Sequence, residues 1–102
     1  MSIALCYFYK VYELQHTRYN KSVGVRYLKQ EYKSQYEKFG LNVVYYRKKN
    51  RLTQLQLAEL VDVDRSHISA IELGNVGVSF DVLFKMCEVF QIKPKELFDF
   101  RD

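Results

Sequence analysis

Cysteine, histidine, proline and long apolar runs are all scarce in this 102-residue chain. The two cysteines, Cys6 and Cys87, lie near opposite ends and make no disulfide framework. No CxxC occurs, and the only histidines are His16 and His67. A tetrahedral zinc site needs four ligands, usually at short Cys or His spacings, so no metal is expected. No cofactor motif is present either. The thiols read as buried or half-buried groups of a reducing compartment. The longest apolar run near the start, residues 3–9, is far too short to span a membrane. It follows no basic stretch, and Lys10 and Glu13 interrupt what comes after it, so it is not read as a signal peptide. A cytoplasmic protein is expected. No Cys-His, Ser-His or convergent carboxylate arrangement appears at helical or strand spacing, and a chain this short supports one domain with at most an appendage. No enzyme is expected.

Charge is present but unevenly placed. The chain carries 16 Lys and Arg against 12 Asp and Glu, a net +4, which by itself hints only faintly at a polyanionic partner. Residues 1–39 hold seven basic and three acidic groups. Residues 40–53 hold Arg47, Lys48, Lys49 and Arg51 and no acid. Residues 54–102 hold five basic and nine acidic groups, so the rear of the chain is acidic.

Residues 1–38 form an N-terminal extension of uncertain structure. Tyr7, Phe8, Tyr9, Val11 and Tyr12 favour a short strand. From Val25 the pattern changes, with Val25, Leu28, Tyr32, Tyr36 and Phe39 on one helical face. An aromatic-rich prefix of this kind is expected to pack on the core, to pair two subunits or to bind another protein.

Residues 39–102 predict an all-α domain of five short helices. The first covers about 40–50, with Val43, Val44 and Arg47 near its inner side. The second opens at Thr53, where Thr53-x-x-Gln56 is a capping box ahead of Leu57, Leu60 and Val61. The third opens at Asp64, an N-cap candidate, carries Ile68 and Ile71, and stops at Gly74. The fourth opens at Ser79 and carries Leu83, Phe84, Met86, Cys87 and Phe90. The fifth has Pro94, the only proline, at its first position, then Leu97 and Phe98.

The link between the second and third helices carries the function. Val61-Asp62-Val63-Asp64 is a tight connection in which Asp62 takes a left-handed turn position and Val63 plugs between the helices. That arrangement is a helix-turn-helix, which seats its second helix in the DNA major groove. Arg65 and Ser66 occupy the first turn of that helix, the end that reaches base edges. Arginine pairs with guanine O6 and N7, and serine serves several bases; Arg65 is alternatively a phosphate contact. His67 faces outward on the same turn, for a base, a phosphate or solvent, and no nucleophile accompanies it. Ser69 and Ala70 lie one turn on; Ser69 is alternatively tucked toward the second helix, and Ala70 offers a methyl or simply room. Lys48, Lys49 and Arg51 end the first helix, where a basic run either contacts phosphate or complements the helix dipole. Asn75, in the loop after Gly74, can approach phosphate with its amide.

The run Leu52-Thr53-Gln54-x-x-Leu57-Ala58, then Val63-Asp64-x-x-x-Ile68-Ser69-x-Ile71-Glu72-x-Gly74, resembles the Cro/phage-repressor, lambda-repressor-like type of helix-turn-helix. The likeness continues through Leu83, Met86, Cys87, Phe90, Ile92, Leu97 and Phe98, covering about residues 39–99. It implies sequence-specific binding of double-stranded DNA, a two-fold dimer and transcriptional control, as in small phage repressors and the controller proteins of restriction–modification loci. An antitoxin role is compatible with it. The resemblance also implies that Gln54 grips a phosphate and supports the recognition helix. It further implies that Arg47 and Glu72 form a salt bridge beneath the motif, aiming the arginine near the DNA backbone. Asp62 stands where the family commonly has glycine, and Val78 where it often has proline. Asp64 and Glu72 subtract positive charge near the groove, so affinity is expected to rest on Lys and Arg contacts and to weaken with salt. The reading that follows is a homodimeric regulator, a repressor on a palindromic operator. The alternative is a protein-interaction module or antitoxin on the same scaffold, with DNA binding secondary or lost. The dimer interface falls either to the extension or to the fifth helix.

Overall fold

The computed structural model describes residues 30–101. A short 3₁₀ turn, Gln30–Tyr32, leads into α1 (Lys33–Lys49). Then follow α2 (Gln54–Val61), α3 (Arg65–Glu72), α4 (Phe80–Phe90) and α5 (Pro94–Leu97). Among the described residues there is no strand. The short strand expected near residues 7–12, and Val25 and Leu28 of the helical face, lie outside the described residues.

The first helix starts earlier than its expected beginning at 40. Its buried stripe explains why: Phe39, Gly40, Val43 and Arg47 recur at helical spacing, and Tyr36 extends the same side backward. The boundary expected between residues 38 and 39 therefore falls inside α1.

The helix starts follow their caps. The Thr53 hydroxyl accepts from the Gln56 N–H at 3.0 Å, and the Gln56 side chain accepts from the Thr53 N–H at 2.9 Å. Ser79 Oγ accepts from the Val82 N–H at 3.2 Å. Pro94 opens α5, and Glu96 reaches back to the Lys93 N–H at 2.9 Å. Asp64 departs from expectation. It holds the N-cap position with extended backbone, but its side chain makes no capping bond. Its carbonyl instead accepts from the His67 and Ile68 N–H groups.

The helix ends share one device. After α1, α2, α3 and α4 a residue takes the left-handed conformation: Arg51, Asp62, Gly74 and Gln91, with φ of 59°, 60°, 76° and 58°. At each, paired backbone bonds close the last turn, as in Val63 N–H to Ala58 and Asn75 N–H to Ala70. Three of the four are not glycine, so the expected glycine stop at Gly74 was one case of a more general pattern.

Among the described residues the core is one cluster. Val43, Leu57, Val61, Ile68, Ile71, Met86 and Leu97 are fully enclosed, with Phe39, Ala58, Leu83, Cys87 and Phe90 around them. Burial, and then the charge of Glu96, push the Cys87 thiol above its ordinary pKa. It is a core side chain and not a reactive thiol. The packing of α1 on α3 is unusually close. A Cβ at Gly40 would lie 2.5 Å from the carbonyl oxygens of Ile71 and Glu72. Only glycine lets the two backbones meet there. The same close approach brings Arg47, two turns along the same face of α1, against Glu72.

Candidate nucleic-acid interface

The interface is built from the inside outward. Arg47 and Glu72 are buried, at 9% and 7% exposure, and face one another. Arg47 Nε donates to Glu72 Oε2 at 2.6 Å and Nη2 donates to Oε1 at 3.2 Å. Nη1 donates to the Leu52 carbonyl at 2.8 Å. The planar guanidinium thus ties α1, the turn before α2 and the end of α3 together. Arg47 is placed in this scaffold. Its side chain is largely enclosed there, beside the similarly buried Glu72.

Glu72 does more than pair with Arg47. Its Oε1 also accepts from Gln54 Nε2 at 2.8 Å. Gln54 stands at the first position of α2, and its Oε1 accepts from Arg65 Nη1 at 2.9 Å. A continuous chain of hydrogen bonds therefore runs from Arg47 through Glu72 and Gln54 to Arg65. The fixed charge of Arg47 sets the carboxylate. The carboxylate fixes which end of the Gln54 amide faces inward. The outward carbonyl then receives Arg65. The Gln54 amide retains a second hydrogen, and Arg65 retains further N–H donors, for a ligand. Glu72, expected to subtract charge at the groove, is compensated by Arg47.

The remaining expected residues fall around this chain. Arg65 and Ser66 are exposed on the first turn of α3, while His67, Ser69 and Ala70 are half-buried along it. Thr53 caps α2 beside Gln54. Lys48, Lys49 and Arg51 are exposed at the end of α1. Lys49 lies 5.9 Å from the centre of the Tyr45 ring, a cation–π contact. Arg51 takes a left-handed backbone conformation. Asn75 is exposed beyond the other end of α3, and its Oδ1 accepts from Lys33 Nζ at 2.6 Å.

Lys33 escaped the sequence reading. Its ammonium also donates to the Gly74 carbonyl at 2.7 Å, at the negative end of the α3 dipole. It joins the start of α1 to the end of the recognition helix across a separation of 41 residues. In the sequence it is one of several lysines on a polar face, with no local signal of its partner. Gly40 was missed for a related reason: one glycine inside a helical stretch does not announce a backbone approaching from elsewhere.

Two short helices joined at a left-handed Asp62, with the second presenting an exposed basic first turn, define a helix-turn-helix DNA-binding module. The Helix-turn-helix family model matches residues 44–97, and the chain belongs to that family, in its Cro/C1 type. The chain is 38% identical over 58 residues to an uncharacterized HTH-type transcriptional regulator of Methanocaldococcus jannaschii, covering 57% of this chain and 88% of that one. It is 38% identical over 63 residues to the control protein C.BamHI of Bacillus amyloliquefaciens, covering 61% and 78%. Among solved structures it is similar to the restriction-modification controller protein C.AhdI from Aeromonas hydrophila. That match has a TM-score of 0.61 and 34% identity, and covers 64% of this chain and 98% of that one. The clp gene regulator ClgR from Corynebacterium glutamicum shares the fold, with a TM-score of 0.58 at 24% identity. The protein is a DNA-binding transcriptional regulator, a class that acts by binding and not by catalysis. Among the described residues no helix is long and apolar enough to cross a membrane.

Proposed function

We propose that the protein acts in the cytoplasm as a homodimer that occupies a palindromic operator and represses transcription from it. The hydrogen-bond chain from Arg47 to Arg65 carries this reading, because it holds a base-reading side chain to the scaffold before DNA arrives. Such pre-organisation lowers the ordering cost of binding. In the complex Arg65 pairs with guanine O6 and N7 in the major groove, with Ser66 beside it. His67, Ser69 and Ala70 border the same bases. Gln54, Lys48, Lys49, Arg51 and Asn75 hold phosphates and fix the register. Two recognition helices about 34 Å apart meet half-sites one turn of DNA apart. The likeness to C.AhdI favours control of a restriction–modification locus as the narrower role.

Selection of bound sequences from random duplex DNA tests the proposal. A palindrome is expected, with a guanine in each half-site. No enrichment overturns the specific-regulator reading, and a single unrepeated half-site overturns the dimer. Placing the selected site across a promoter in front of a reporter then tests repression. A rise in expression would make the protein an activator.

A further inference from the structure

The C-terminal end of the recognition helix is a poor place for a phosphate. Carbonyls at a helix C-terminus carry partial negative charge, so the loop beyond α3 starts with a field that repels anions. The backbone N–H groups of Gly74 and Asn75 do not offset it. The first donates to the Ile71 carbonyl at 3.0 Å and the second to Ala70 at 2.9 Å, so both are consumed in closing α3. A phosphate grip by these residues must therefore come from side chains.

The start of α1 supplies the charge. Lys33 is its first residue, and Nζ donates to the Gly74 carbonyl at 2.7 Å and to Asn75 Oδ1 at 2.6 Å. An ammonium has three hydrogens, so one remains for a ligand. Because Asn75 Oδ1 faces Lys33, its Nδ2 and the two hydrogens on it point the other way, from a residue that is exposed. The seat is built rather than accidental. Gly74 is buried with φ of 76°, and a Cβ there would lie 2.7 Å from the Cα and N of Glu37. The loop thus rests directly on the turn of α1 that follows Lys33. Lys33 is half-buried, so it has less side-chain freedom to lose on binding than a fully exposed lysine. Without its ammonium, the loop would offer a phosphate a helix C-terminus and the exposed Glu37 carboxylate.

We propose that Lys33 and Asn75 form a phosphate clamp, in which one DNA phosphate accepts from Lys33 Nζ and from Asn75 Nδ2 together. The clamp rests on the reading of the protein as a duplex-DNA binder with α3 in the major groove. It adds a ligand from outside residues 44–97, the region matched by the helix-turn-helix family. Lys33 then has two roles: it binds the phosphate, and it sets which end of the Asn75 amide meets it. The recognition helix is thereby held from both ends, by the Gln54–Arg65 bond at its start and by Lys33 at its finish.

Methylphosphonate substitution tests the clamp. Each phosphate of the selected operator is neutralised in turn, and the affinity of the full chain is read by anisotropy. One position in each half-site is expected to cost the wild-type protein about tenfold, the loss of a charge-assisted hydrogen-bond pair. The same position should cost Lys33→Met little. Lys33→Met should also lower the slope of log affinity against log salt by about 1 per bound subunit, on operator and random duplex alike. Lys33→Arg, which keeps the charge, should restore that slope. Asn75→Asp is the second variant, on an exposed residue. It leaves an oxygen for Lys33 and removes only the outward amide, so the penalty at the same phosphate should vanish. A Lys33→Met protein that unfolds more easily but keeps the wild-type slope and phosphate profile overturns the proposal, and reduces Lys33 to a cap on α3. An Asn75→Asp profile identical to wild type also overturns it. A wild-type protein that binds no duplex at all sinks the regulator reading and the clamp together. Duplex binding in which the two variants share no phosphate position sinks the clamp alone.

Discussion

Gln54 holds Arg65 by its carbonyl and Glu72 by its amide, at 2.9 and 2.8 Å, so its two ends are told apart by the buried ion pair behind it. Removing the amide should therefore do more than delete one contact. In Gln54→Ala, Arg65 loses its tether and Glu72 loses a donor. Hydrogen bonds to charged groups contribute about 1.5–3 kcal/mol each, so operator affinity should fall about tenfold or more. Discrimination at the base under Arg65 should relax as well. Anisotropy titrations against the selected operator and its single-base variants measure both. A uniform loss across all variants would reduce Gln54 to a phosphate contact.

The pair behind it is a stability element. Either Arg47→Met or Glu72→Leu alone leaves a buried charge without its partner, at a cost of about 3–5 kcal/mol. The double substitution removes both charges together and should cost much less than the two singles combined. Urea unfolding of the four proteins gives the coupling directly. Operator affinity of the double variant should still fall, since Gln54 would have no carboxylate to orient it.

The close contact of α1 on α3 predicts a large effect from one methyl group. Gly40→Ala places a Cβ against backbone carbonyls that cannot swing aside. About 2–3 kcal/mol of stability should be lost, at the upper end for overpacking. Alanine is the better helix former, so an exposed helical glycine would respond in the opposite direction. A higher midpoint in urea would show that the helices separate at little cost.

Much of this architecture was legible because local chemistry and tertiary role coincide. Thr53 and Gln56 form their capping box wherever the helix goes, and Asp62 takes its left-handed turn for reasons confined to a few bonds. The stripe of Leu57, Val61, Ile68 and Ile71 had to face inward. The start of α1 was harder to read, because Tyr36 belongs to both the extension's helical face and the domain's first helix, and a pattern of spacing has no marker where one becomes the other. The roles of Lys33 and Gly40, and the left-handed backbone of Arg51, were illegible for another reason. What defines each is a backbone or side chain distant in sequence, or a conformation its residue type does not favour. Arg47 and Glu72 were recoverable only through a family resemblance, and even that left open how deeply the arginine is buried.

The left-handed residues predict stabilising changes. A non-glycine residue there costs roughly 1–2 kcal/mol, part of which glycine returns in unfolded-state entropy. Gln91→Gly, with Gln91 exposed after α4, should raise stability by about 0.5–1 kcal/mol. Asp62→Gly should gain less, because aspartate tolerates the left-handed region better than glutamine, and should also remove a negative charge from the helix-turn-helix. Thermal unfolding ranks these variants, and only the Asp62 change should tighten DNA binding.

The basic end of α1 separates phosphate contact from ordinary solvation. Each phosphate that a protein neutralises adds about 0.9 to the slope of log affinity against log salt. If Lys48 meets a phosphate, Lys48→Gln should lower that slope by about 1 and weaken all duplexes alike. Arg51→Gln should behave similarly, because Arg51 is exposed just past the end of α1. Lys49→Gln should change the slope less, since its ammonium already lies over the Tyr45 ring. Arg65→Gln should instead abolish preference at one base pair while largely sparing non-specific binding. Titrations at several salt concentrations, on operator and random duplex, distinguish the two patterns. A Lys48→Gln variant with an unchanged slope would assign the run to solvation and to the helix dipole, and leave the phosphate grip to α2 and the Asn75 loop.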